Sequence, residues 1–117
     1  MARGLLTGQV DSLRNKTDSF TADQYGDETS HNIAQAVARV AAARGVKSSQ
    51  VALAWVSGRA GVTSTLIGVE TVAQLDENIA TLDMQLTAQE VHEIDRCYTP
   101  CDVINDYNTA RIPRVAL

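Results

Sequence analysis

Apolar positions fall into four helix-spaced runs and one short continuous stretch. Over residues 30–44, Ile33, Val37, Val40 and Ala41 recur on one face of a helix. Gly45 follows as a left-handed C-cap, and Arg44 in the last turn suits the negative end of the helix dipole. A second helix starts at Ser48, an N-cap residue type, and closes at Gly58 and Gly61. It carries Val51, Leu53, Ala54, Trp55 and Val56 around most of its circumference, which predicts burial on several sides. The third helix follows Thr71, with Gln74 placed to complete a capping box and Val72, Leu75 and Ile79 on one face. The fourth repeats the device with Thr87 and Glu90, puts Val91, Ile94 and Tyr98 on one stripe, and stops before Pro100.

Residues 62–67, Val-Thr-Ser-Thr-Leu-Ile, are the one clear strand. They are β-branched, uncharged and lie between Gly61 and Gly68. Such a pattern suits a strand covered on both faces in a parallel sheet. A single strand cannot satisfy its own edges. The order helix, helix, strand, helix, helix therefore predicts an α/β fold whose neighbouring strands lie outside these 117 residues. Residues 1–29 read as irregular, with a polar surface loop around Gly26 and an apolar opening, Gly4-Leu5-Leu6-Thr7-Gly8, bracketed by glycines. Residues 101–117 show no period and read as a tail.

Composition changes this picture little. Hydrophobic residues are 44% and charged residues 21%, near the globular average. Aromatics are only 4%, thin for an independent core. The net charge of -4 and the absence of a dense Lys/Arg cluster argue against nucleic acid as a partner. No apolar run reaches the roughly 18 residues of a membrane span, and residues 1–10 lack a signal-peptide core, so a cytoplasmic protein is expected. Cys97 and Cys101 are too few for a disulfide framework and read as reduced thiols. With His92 nearby but no fourth partner, no metal site is expected.

Four blocks stand in an order and spacing that resemble the C-terminal third of aldo-keto reductases: Gly4-Leu5-Leu6-Thr7-Gly8; Val51-Ala52-Leu53-Ala54-Trp55; Ile67-Gly68 followed by Thr71-Val72-Ala73-Gln74-Leu75-Asp76-Glu77-Asn78; and Leu82-Asp83-Met84-Gln85-Leu86-Thr87 with Glu90. The resemblance covers roughly residues 3–100. It implies the C-terminal portion of a (β/α)₈ barrel, a fold of about 250 residues, with residues 1–100 as the barrel part and 101–117 as the tail. Met1 would fall just after the seventh strand, and residues 62–67 would be the eighth.

The resemblance also implies an oxidoreductase that reduces aldehydes and ketones with a nicotinamide cofactor. A Tyr donates the proton, tuned by a Lys, an Asp and a His in the family's first half. Tyr25, Tyr98, Tyr107, Lys16 and Lys47 match none of these positions, so no catalytic residue is assigned and the chain alone is expected to be inactive. Cofactor binding does carry over. Gly4, Leu5, Thr7 and Gly8 match the loop over the pyrophosphate, Gly68, Val69 and Glu70 the turn near the adenosine ribose, and Gln74, Glu77 and Asn78 the helix that holds the adenosine end. On helix geometry alone, Gln74 serves its cap, Glu77 is a solvated charge and Asn78 a surface polar residue. The family register moves Gln74 and Asn78 to the ligand and leaves Glu77 between the two readings.

Many relatives place Ser or Arg where Glu70 stands, so the expected NADP(H) has NAD(H) as its alternative: a carboxylate repels a 2′-phosphate but accepts from a 2′-hydroxyl. The competing expectation from another class is a non-catalytic nucleotide-binding or interaction module that self-associates through unpaired strand edges. An independent small helical protein is a third.

Overall fold

A computed structural model describes residues 2–7, 27–100, 103–105 and 108–112, the last two stretches as backbone. After an opening 3₁₀ turn, Ala2–Thr7, come helices α1 (Glu28–Arg44) and α2 (Ser48–Ser57), an extended run, helix α3 (Val72–Ile79), a second 3₁₀ turn (Ala80–Asp83) and helix α4 (Ala88–Asp95). Strands β1 (Val103–Asn105) and β2 (Asn108–Ile112) pair antiparallel, with Val103 opposite Ile112.

Each helix begins and ends for local reasons. Asp27 caps α1 by accepting from the Ser30 amide at 2.5 Å, and that bond holds its carboxyl below the usual range. The cap thus sits three residues ahead of the expected start. Gly45 closes α1 at φ 68°, with its amide bonded back toward Ala41 and Ala42. Thr71 caps α3 by accepting from the Gln74 amide at 3.2 Å. Gln74 does not complete the expected box: its Oε1 accepts from Glu70, one residue earlier, at 2.8 Å. In α4 the box closes both ways between Thr87 and Glu90.

Helix α2 is the centre of the described structure. It packs against α1, α3 and both 3₁₀ turns, while α4 lies on α1. Ala36, Val37, Val40 and Ala41 of α1 meet Val51 and Ala52 of α2 and Ile94 of α4 in one core, with Ile33, Leu6, Trp55 and Leu86 at its margin. Four consecutive residues of α2, Val51 to Ala54, are buried, as neighbours on all sides require. Fully burying a side chain the size of Val51 or Leu53 contributes about 1.5–3 kcal/mol.

Two expectations fail. Residues 62–67 are extended but form no strand, because among the described residues nothing offers their backbone a ladder: residues 63–69 have no backbone–backbone hydrogen bond there. The side chains follow suit, with Leu66 98% exposed. The α3 stripe is likewise bare, Val72 being 75% exposed and Leu75 and Ile79 also open, since no described element covers it. The strands that do form, β1 and β2, fall in the tail that showed no period.

Arg44 locks α1 to α4. Its Nε and Nη2 donate to the two oxygens of Glu90 at 2.5 and 2.7 Å, and Nη2 also reaches the Gln85 carbonyl at 2.8 Å. Glu90 at the same time accepts from the Thr87 amide. These bonds, Arg44's foremost, hold its carboxyl down to about 2. A folded-state value below the unfolded one means the stabilisation is complete above the unfolded value near 4.5 and is lost as pH falls toward about 2. Glu90→Gln should lower stability at pH 7 by roughly 1–2 kcal/mol and flatten the acid limb between pH 4.5 and 2; urea unfolding across that range checks both.

Candidate functional site

The residues expected to hold a ligand lie in two places. The first is the opening turn. Gly4 adopts φ 106°, where an L side chain would be strained, and its carbonyl accepts from the Thr7 hydroxyl at 2.6 Å. Leu5 is buried in the body of the protein, and the turn rests on α1 and α2. Gly8 lies outside the described residues.

The second place is the exposed turn that runs into α3. Space around Gly68 is open, with nothing within 4 Å of where a side chain would begin. Val69 and Glu70 are exposed, and the Glu70 amide is tied to Gln74. At the start of α3 the Thr71 hydroxyl satisfies the Gln74 amide and the Thr71 carbonyl the Leu75 amide. Among the described residues the amides of Val72 and Ala73 have no acceptor, so this helix start presents two free N–H groups beside the turn. Among the described residues no hydrogen bond joins the two places.

Helical spacing groups Gln74, Glu77 and Asn78, but the surroundings separate them. Gln74 is exposed. Glu77 is half-buried, and its carboxylate forms an ion pair with Lys47. Its carbonyl accepts from Gln50 Nε2 at 3.1 Å. Asn78 is buried, its carbonyl accepting from the Thr81 hydroxyl at 2.6 Å. It lines a cavity of about 430 Å³ together with Leu53, Ser57, Thr65, Ile67 and Thr81.

Three contributors escaped sequence reasoning. Lys47 and Gln50, at the start of α2, reach α3 across some thirty residues. The one available signal was a lysine in an N-cap position, where it has no acceptor to offer. The third is a cluster joining α2 to α4. Trp55 Nε1 donates to Asp95 Oδ1 at 2.8 Å, Arg59 pairs with the same carboxylate while lying 3.9 Å over the Trp55 ring, and Tyr98 meets that ring edge-on at 5.8 Å. Trp55 and Arg59 border a second cavity of about 620 Å³ with Met84, Leu86 and Val91. Cys97 is a free thiol, while Cys101 lies outside the described residues. Among the described residues no cluster of three metal-ligating side chains occurs, and no helix is long and apolar enough to cross a membrane.

The opening turn, the α2 block, the turn into α3 and the capped α4 thus follow one another in the order read from the sequence. A model of the aldo/keto reductase family matches residues 1–99. The chain belongs to that family. The aldo-keto reductase AMT2 of Alternaria alternata is 34% identical over 89 residues, covering 71% of this chain and 24% of that protein. The aldo-keto reductase dtxS3 of Metarhizium robertsii is 32% identical over 69% of this chain and 20% of its own length. Norsolorinic acid reductase stcV of Emericella nidulans is 29% identical over 75% of this chain and 23% of its own. The aldo-keto reductase segment described here therefore spans between a fifth and a quarter of the length of these relatives. Membership implies part of a barrel fold.

Proposed function

We propose that this chain carries the adenosine-end cofactor surface of an NAD(P)H-dependent carbonyl reductase, and that it does not turn over substrate by itself. The observation that carries the reading is the exposed, uncrowded turn 68–70 running into a helix start with two N–H groups that have no acceptor among the described residues. Free amides and the helix dipole favour an anion or a polar ribose edge there. The open space at Gly68 lets a ligand approach the backbone. These residues fit a dinucleotide. When bound, its dihydronicotinamide supplies hydride to a carbonyl carbon.

The chain's own part is binding and orientation. Gly4, Leu5, Thr7 and Gly8 cover the pyrophosphate, with Gly4 giving a backbone that a larger residue would strain. Gly68, Val69 and Glu70 face the ribose, and Gln74, Glu77 and Asn78 form the adenosine end. The bond from Glu70 to Gln74 ties the ribose turn to the helix that carries this group. No described tyrosine is placed as a proton donor: Tyr98 packs edge-on against Trp55.

Glu70 sets the cofactor preference. A 2′-phosphate beside its carboxylate is repelled, whereas a 2′-hydroxyl donates to it. Calorimetry of the chain with NADH and NADPH should show the first bound at least as tightly. Glu70→Arg should shift the ratio roughly tenfold toward NADPH. A large NADPH preference left unchanged by Glu70→Arg refutes this assignment. Incubated with NAD(P)H and reactive aldehydes, the 117-residue protein should leave the absorbance at 340 nm constant.

A second reading, assembly through an exposed edge, is favoured by the backbone of residues 63–69, unpaired among the described residues, and by bare Leu66, Val72 and Leu82. On this reading sedimentation velocity shows dimers or larger species that Leu66→Lys disperses. A compact monomer at all concentrations excludes it.

A further inference from the structure

We infer that Lys47 is a positioning residue for the Glu77 carboxylate, an inference that rests on the adenosine-end reading of α3. Local helix chemistry gives no reason for a lysine here. Lys47 occupies the N-cap position of α2, with φ -78° and ψ 147°. That position rewards a side-chain acceptor, which an ammonium lacks, and it lies at the positive end of the helix dipole, where a cation is unfavourable. A charge placed against both preferences has its explanation elsewhere.

The ammonium sits on Glu77, thirty residues later. Glu77 is held a second time through its carbonyl, which accepts from Gln50 Nε2 at 3.1 Å, while Gln50 Oε1 accepts from the Lys47 amide at 3.2 Å. One residue of α3 is thus gripped at both ends by the first turn of α2. The Gln50 bond already ties the two helices together. The ion pair adds little to that tie, since the Lys47 side chain is 63% exposed and an exposed pair contributes little to stability. What it changes is the carboxylate. Paired, it keeps one orientation, one helical turn beyond exposed Gln74. A fixed carboxylate at that place is an acceptor for an N–H donor on the ligand. On an adenine nucleotide, the exocyclic amine is such a donor.

The test is the preference of the full chain for 5′-AMP over 5′-IMP, which lacks the amine, measured by calorimetry. The unaltered chain should prefer 5′-AMP. Lys47→Met should reduce that preference about threefold to fivefold, the scale of an exposed ion pair. Lys47→Arg should restore it, and Lys47→Met should have no further effect in a Glu77→Gln background. A structural role alone would weaken both nucleotides equally and leave their ratio unmoved. An unchanged ratio in Lys47→Met, or a loss that persists in the Glu77→Gln background, overturns the inference while leaving the adenosine reading in place. Failure of the unaltered chain to bind either nucleotide overturns both.

Discussion

Helices α1 and α2 lie close because small side chains line their contact. Ala36, Ala41 and Ala52 are buried there, and alanines let two backbones approach until Val37, Val40 and Val51 interlock. The other described helices and turns are hung on this pair. The opening turn rests on both helices, α3 and the second 3₁₀ turn on α2, and α4 on α1. The two polar fastenings, Arg44 to Glu90 and Trp55 with Arg59 to Asp95, each join this pair to α4, one from α1 and one from α2. A larger residue at Ala36 or Ala52 would separate the surfaces on which the candidate ligand residues stand.

The two sides of the molecule differ in how far their groups are satisfied. Around the helix pair, Arg39, Arg44 and the α1 caps have partners. Among the described residues the backbone of 63–69 has none, and apolar side chains there and on α3 meet water. A parallel barrel strand draws its hydrogen bonds from strands on both sides and buries both faces under helices. The local sequence 62–67 carries the side chains for such a place, but extended backbone becomes a strand only when a neighbour supplies donors and acceptors. The same contrast explains why Val69, Glu70 and Gln74 are open while Leu5 is not.

Much of the fold could be read from residues alone. The left-handed Gly45, the Thr71 and Thr87 caps, the α1 stripe and the all-round burial of α2 follow from periodicity and capping chemistry. These are properties of neighbours within four residues. What could not be read depends on distant groups. Asp27 gives no sequence signal as a cap because its surroundings are polar and aperiodic. Gln74 accepts from the Glu70 amide rather than from its own cap. The strand at 62–67 and the buried stripe of α3 both presumed a covering layer. In the candidate site, the membership of Gln74, Glu77 and Asn78 in one face was legible, but their separate fates were not, since Lys47 and Thr81 act on them from other elements. Lys47 left a trace as a misfit at a helix start.

Glu90 serves two masters, closing the start of its own helix and receiving the guanidinium of another. No single replacement meets both demands. Aspartate is too short to span from the helix to Arg44, and glutamine keeps the cap acceptor but gives up the charge. Substitutions at 44, 87 and 90 are therefore not independent. A sequence that drifts at one of them must drift at the others in step, and a chimera that takes α1 from one relative and α4 from another would inherit half of an agreement.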